Sequence, residues 1–365
     1  MDRRDSILKY VTKEERGIEI GPWFNPLAPK REGWQCLVLD VFDAATLKRR
    51  ALDDPNVPDG AAVNIEDVDL VGSSTSIGDL VAGAGKAGAI DYIVSSHNFE
   101  HLPDPIRFLQ GCAGVLKPGG MLSMAIPDRR ACFDYFRPVT RLSEWLQAYI
   151  DRRERPSPAQ NFDSCELFAH VDDENGSSYA FFRDGAPDRV SAFLDLEQVY
   201  AAWKTRHASD DIAYHDAHCS VFTPASFEML IRDVAYLGLA SFEVLEVFDA
   251  GCEFHAHLRC TDATDALRPA GYQTMRNALL RRIHDEAAET SRQFQALRAE
   301  CEAWRAKYGT PDASNARDAE LARASACVRQ LEDALEGLRS STSWRATAPI
   351  RRGVTMLRAL TGIRR

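Results

Sequence analysis

Cysteine pairs at CxxC spacing are missing from the 365 residues, and the nine cysteines are scattered and odd in number. That pattern argues against a metal ribbon or a disulfide framework and predicts buried thiols in a reducing compartment. No apolar run reaches bilayer length, and the opening "MDRRDSILKYVTKEERG" has no stretch that would export or anchor the chain. A cytoplasmic protein is the expectation. Positive charge is short as well: 44 Lys and Arg face 54 Asp and Glu, a net charge of -10. An acidic mean argues against a general nucleic-acid binder, which needs clustered cations to neutralise phosphates. The last shortage is glycine after the first apolar run: "GIEIG" continues with Pro22, Trp23, Phe24, Asn25 and Pro26. A pyrophosphate needs free backbone amides at GxGxxG, so nicotinamide, flavin and nucleotide-sugar sites are disfavoured.

What is present is a soluble composition, 45% hydrophobic and 27% charged, with room for one large domain and more. From Ile18 to Cys260 short apolar runs alternate with amphipathic stretches, as in a mainly parallel sheet covered by helices. "GIEIG", "QCLVLD", "DVDLV", "IDYIVSS" and "MLSMAIP" read as five strands, and "SFEVLEVFD" with "EFHAHLRC" as a late hairpin at the sheet edge. Between Asp128 and Val221 the periodicity is poorer. The span is too long for a connection, so residues 128–221 read as an inserted, partly helical subdomain that could cover a ligand.

Residues 263–340 form a helix-former-rich tract. Leu280, Ile283, Ala287, Thr290, Phe294, Leu297, Cys301, Trp304 and Tyr308 alternate spacings of three and four, and a second seam runs from Leu321 to Leu338. A homo-oligomeric coiled coil and a helical hairpin on the domain are both open readings. Residues 341–365 carry arginines and no acid, beside an apolar stripe of Trp344, Ile350, Val354, Leu357 and Leu360. Such a tail fits either a peripheral helix on the inner face of a membrane or a solubilising end.

A ligand with a nucleoside and no phosphates needs one close backbone approach, a polar group for its amino-acid end and a carboxylate for its ribose. Gly21, Glu19 and Asp40 supply these in order, with Asp40 about twenty residues after the glycine. Here the chain resembles the class I S-adenosylmethionine-dependent methyltransferases of the small-molecule and glycan type (type 11-like). The likeness is carried by "GIEIGP", by Asp40 after "CLVL", by "SSHNFEHLPDP" followed by "LKPGG", and by "MLSMAIPD". It implies a Rossmann-like α/β fold with a mainly parallel seven-stranded sheet in residues 1–262, to which the periodicity adds the helical insertion and the C-terminal coiled-coil helices.

The resemblance also implies S-adenosyl-L-methionine as cofactor, with Glu19 and Gly21 at its methionine part, Asp40 at the ribose, Asp67 or Asp69 near the adenine, and Ser96 and His97 lining the pocket. The usual glycine-rich run is reduced to Gly21, which motivates a second reading as a catalytically degenerate scaffold working through its C-terminal helices.

Methyl transfer to oxygen or nitrogen needs alignment and can use a base. His97 is the first candidate, with a structural histidine as its bland alternative, and His101 reads as a local contact. "YHDAH" sets His215, Asp216 and His218 together. An HxxH with an acid hints at metal, but no HExxH or cysteine context supports it, so acid–base help or acceptor recognition is expected there and no metal. Arg129, Arg130, Tyr135 and Arg137 could hold a sugar or anionic acceptor. The ending "SSTSWRATAPIRR" is similar to tails of glycan-modifying proteins, which points to a glycan or other small polar acceptor.

Overall fold

The computed structural model describes residues 2–85, 89–173, 176–178, 189–208, 215–291, 296–297 and 299–303. Residues 1–295 form one compact unit and 296–365 a second. The second seam, Phe294, Trp304, Tyr308 and the basic tail lie outside the described residues.

In chain order the first unit runs α1 (Arg3–Ile7), β1 (Arg16–Ile20), β2 (Gln35–Asp40), α2 (Ala44–Asp53), β3 (Leu70–Val71), α3 (Ile77–Gly83), β4 (Ile90–Ser96), α4 (Pro105–Val115) and β5 (Leu116–Pro127). It continues with α5 (Leu142–Asp151), α6 (Pro158–Glu166), β6 (Ala169–Asp173), β7 (Gly176–Ser178), β8 (Val190–Ala192) and α7 (Leu196–Arg206). The unit closes with α8 (Pro224–Tyr236), β9 (Phe242–Asp249), β10 (Glu253–Cys260), α9 (Thr264–Leu267) and α10 (Tyr272–Ala288).

Seven strands form one sheet in the order β3-β2-β1-β4-β5-β10-β9. Every pairing is parallel except those of β10, which runs antiparallel to β5 and β9. The inner strands are buried on both faces, which is why they read as continuous apolar runs. Ile18, Ile93, Leu122 and Met124 face a core shared with α3, α4, α5 and α8. Tyr92, Val94, Met121 and Ala125 face the other way, onto α1 and the segment from Leu27 to Trp34.

Helix starts follow their local chemistry. Asp104 caps α4 by accepting from the Arg107 amide at 3.0 Å, with Pro105 in the first turn. The "KPGG" stretch lies within β5: Gly119 takes φ +83°, whereas Gly120 is required by close approach, since a Cβ there would sit 2.9 Å from the Asp91 and Lys117 carbonyl oxygens.

The 128–221 segment holds α5 to α7 and also a three-stranded antiparallel sheet, β7-β6-β8, that periodicity does not reveal. Its beginning belongs to the main core, where Trp145 of α5 packs beside Phe99 and Phe222. After the hairpin, α10 lies on α8. Asp233 accepts from the Tyr272 hydroxyl at 2.6 Å and from Arg276 Nε at 2.8 Å, and Glu286 accepts from the Ala225 amide at 3.2 Å. The docked stripe is Tyr272, Leu279 and Glu286, while Leu280 of the expected seam is exposed.

Candidate active site

The chain moves outward from β1 through β2 to β3 and then returns to place β4 on the other side of β1. The loops after β1 and β4 therefore diverge, opening a crevice at the carboxyl ends of the strands, where open α/β sheets bind ligands. Gly21 stands at one lip. Its φ is +61°, nothing lies within 4 Å of a Cβ built there, and its amide donates to the Leu39 carbonyl at 2.9 Å. His97 stands at the other lip, also with a positive φ of 53°. Trp23 takes φ 51°, so the ligand-side turns hold two bulky residues in a backbone region that favours glycine.

Glu19 braces the loop that follows β1. It is buried, and its two carboxylate oxygens accept from the amides of Leu27 at 2.6 Å and Ala28 at 2.9 Å, tying the far end of the loop to β1. Burial raises its pKa to about 7 against the lowering effect of those amides. These bonds give the carboxylate a part in shaping the loop, beside its expected place at the amino-acid end of the cofactor. With Pro22 and Pro26 lacking amides, an internal carboxylate takes over the task of bending the turn.

Asp40 closes β2. Its carboxylate accepts from the Phe42 amide at 3.1 Å and lines a cleft of about 480 Å³ with Trp23, Phe42, Leu47 and Arg50. Burial raises its pKa. Asp69 is placed elsewhere: it precedes β3, and its Oδ2 accepts from the Val38 amide at 2.8 Å and from Lys30 Nζ at 2.5 Å. Asp67 is exposed, with its carbonyl held by Lys30 at 3.1 Å. Neither expectation of an adenine-side carboxylate fits, because the residues that follow β3 are Gly72, Ser73 and Ser74. Ser74 Oγ donates to Asn98 Oδ1 at 3.1 Å, joining the loops after β3 and β4.

At the β4 lip, Ser96 Oγ accepts from Arg3 at 2.7 Å and His97 Nε2 meets Glu253 at 2.8 Å. Arg3 grips Glu253 with two bonds of 2.7 and 2.9 Å, and His255 Nε2 adds a third partner at 2.9 Å. Burial works against the Glu253 charge, but the bonds from His255, His97 and Arg3 hold its pKa well below the carboxylate range. Arg3 and Glu253 carry no motif, so only the contact of α1 with β10 shows them.

Beside this lies a second cluster. His101 Nδ1 meets Asp216 at 3.0 Å, and His218 Nδ1 meets Asp134 at 2.5 Å. Burial opposes charge on His101, yet the Asp216 bond and then Glu100 raise its pKa to about 9. Burial would also raise Asp134, but its pairing with His218 and then with Arg137 outweighs burial and holds the pKa at about 2.

Thus Asp216 and His218 join the β4 loop, while His215 does not. It lies in a separate cleft with Arg152, Arg153, Arg155 and Asn161, where burial lowers its pKa. The arginines expected to hold an acceptor are engaged internally: Arg137 pairs with Asp134 at 2.7 Å, Arg130 with Asp128 at 2.6 Å and also with Glu289, and Arg129 donates to the Tyr135 carbonyl at 2.5 Å.

A family profile described as a methyltransferase domain matches residues 15–234, well over half of the chain. The chain belongs to the methyltransferase-domain family. S-adenosyl-L-methionine is the cofactor, and the residues present fit it: an open glycine at the β1 lip and a carboxylate at the end of β2. The ubiquinone biosynthesis O-methyltransferase of Xanthomonas axonopodis pv. citri (strain 306) is 39% identical over 54 residues, 15% of this chain and 22% of that protein. That of Cupriavidus pinatubonensis (strain JMP 134 / LMG 1197) is 29% identical over 88 residues, 24% of this chain and 32% of the relative. The chain thus spans about a fifth to a third of the length of these curated relatives.

Among solved structures, a SAM dependent methyltransferase from Aquifex aeolicus covers 71% of this chain and 90% of its own, at 12% identity and a TM-score of 0.35. At that score the likeness is weak, and the methyltransferase fold rests on the family profile together with the seven-stranded sheet. Among the described residues no helix is long and apolar enough to cross a membrane.

Proposed function

We propose that this methyltransferase-family chain transfers the methyl group of S-adenosylmethionine to an oxygen of a small polar acceptor, with a sugar hydroxyl of a polysaccharide or its lipid-linked precursor as the acceptor class. The observation that carries the reading is the pair Gly21 and Asp40 at the carboxyl ends of β1 and β2, beside the point where the strand order reverses. Oxygen as the methylated atom is supported by the name of the relatives that match over 54 to 88 residues. The glycan class rests on the chain ending.

When bound, S-adenosylmethionine supplies an electrophilic methyl on a sulfonium for in-line displacement. Asp40 accepts hydrogen bonds from the ribose hydroxyls, and Gly21 admits the ligand against bare backbone. Glu19 keeps the turn in place. His97, oriented by Glu253 at 2.8 Å, takes the proton that the acceptor hydroxyl releases.

Calorimetry with S-adenosylhomocysteine tests the cofactor half. Wild type binds, and Asp40→Ala weakens binding roughly 10- to 100-fold, the loss of charge-assisted hydrogen bonds worth about 1.5–3 kcal/mol. Labelled methyl donor offered with glycan acceptors then tests the transfer. A folded wild type that binds no S-adenosylhomocysteine would overturn the enzyme reading and favour the scaffold.

A further inference from the structure

Glu100 is 1% exposed, and neither of its carboxylate oxygens has a hydrogen-bond partner. A buried carboxylate in that condition is costly, and its cationic neighbours, His97 Nδ1 at 3.7 Å and His101 Nε2 at 3.8 Å from Oε1, stand beyond hydrogen-bond reach. Its place is dictated by its own backbone: the Glu100 carbonyl accepts the amides of Cys219 at 2.7 Å and Ser220 at 3.0 Å, which pins the β4 loop to the segment before α8. That segment carries His218.

One ligand atom each from Glu100, His101 and His218 lies within 4.8 Å of the other two. His101 Nε2 stands 3.8 Å from Glu100 Oε1, too far for a hydrogen bond. Ligands about 2.1 Å from a common ion at tetrahedral angles stand about 3.4 Å apart, so a modest contraction would seat one.

Each imidazole is also held as metal-bound imidazoles are. Asp216 takes Nδ1 of His101, and Asp134, itself gripped by Arg137, takes Nδ1 of His218. A carboxylate on Nδ1 fixes the ring, and Nε2 is the donor once the ion has displaced any proton it carries. A hydrogen-bonded polar core would instead pair Glu100 directly. We propose that Glu100, His101 and His218 bind a divalent first-row transition-metal ion, with Asp216 and Asp134 as positioning residues.

Two imidazoles and one carboxylate suit such ions and leave coordination positions open. The His101 side chain is 30% exposed, which gives the site a route to solvent. On the reading proposed above, an open position takes the acceptor oxygen, and the ion lowers the pKa of that hydroxyl so that its proton passes to His97. HxxH is not the binding pair: His215 lies in the other cleft, and the second histidine is His101, about a hundred and seventeen residues before His218.

The test uses the full chain, freed of metal by dialysis against a chelator and titrated with Zn²⁺ or Co²⁺ in the absence of cofactor and acceptor. The expected result is one ion per chain, a visible Co²⁺ absorption band, and a rise in Tm. Glu100→Gln, which keeps the side-chain shape, lowers affinity at least tenfold, and Asp134→Asn lowers it by roughly 10- to 100-fold. The order of stabilities also crosses: in chelator Glu100→Gln is at least as stable as wild type, and in Zn²⁺ wild type is the more stable.

Binding of Zn²⁺ and Co²⁺ no tighter in wild type than in Glu100→Gln overturns the proposal, provided circular dichroism shows both folded. If Glu100→Gln does not fold, His101→Gln takes its place in the same comparison. S-adenosylhomocysteine calorimetry on the same samples separates the two ideas. Metal without cofactor binding leaves the site and removes the methyltransferase reading, and cofactor without metal does the reverse.

Discussion

Glu19 sits under the ligand loop with two amides on its carboxylate and almost no water. Its pKa rises from 4.5 to about 7 in the folded chain, so between those values the folded state holds a proton that the unfolded state releases. Stability from this group is therefore complete below about pH 4.5 and is lost as pH climbs through 7, a change of about 3 kcal/mol. Urea unfolding of wild type and Glu19→Gln at pH 5 and pH 8 checks this. Wild type is expected to lose about 3 kcal/mol more than the variant between the two pH values, and equal losses would show the carboxylate to be charged throughout. At this scale the placing of Gly21 and Asp40 at the ends of β1 and β2 was legible from spacing. Glu19 was legible as a residue, while its bonds to the Leu27 and Ala28 amides were not, because burial and partners are not written in spacing.

Helix α10 docks on its own domain by a face other than its apolar repeat. The spacing of Leu280, Ile283 and Ala287 suits a coiled-coil seam, yet α10 meets α8 through Tyr272, Leu279 and Glu286. The reason lies on α8, where Asp233 and the Ala225 amide need partners that only this rotation of α10 supplies. Leu279→Ala is expected to destabilise by about 2–4 kcal/mol as a buried truncation, and Leu280→Ala by less than about 1 kcal/mol. Chemical denaturation of the two variants distinguishes docking face from seam, and equal effects would contradict the observed rotation. Among the strands, the apolar runs of β1, β2, β4 and β5 were legible because burial on both faces leaves no polar interruption. The small β7-β6-β8 sheet was not, since its three short strands carry too little pattern to rise above their surroundings.

For the whole molecule, the described fold places the domain boundary beyond the change in composition near Asp262. A chain ending at Ser291 keeps α10 and is expected to retain the wild-type Tm and affinity for S-adenosylhomocysteine. A chain ending at Asp262 removes Tyr272 and Leu279 from the surface of α8. Losing that burial costs about 3 kcal/mol, roughly 6–12 °C in Tm for a domain of this size. Differential scanning calorimetry of both truncations measures this. A 262-residue chain as stable as the 291-residue one would mean that α10 contributes nothing to the fold.

By itself the sequence determined the strand runs, the late hairpin, the absence of a phosphate loop, and the residues at the ends of β1, β2 and β4, because each is a local property of composition and spacing. Only the tertiary structure decided that Arg3 and Glu253 brace His97, that Asp69 holds β2 to β3, and that Glu100 faces His101 and His218. These groups come from segments separated by up to 250 residues. Their meeting depends on the order of the strands and on which loop is pinned to which, and no local pattern records either.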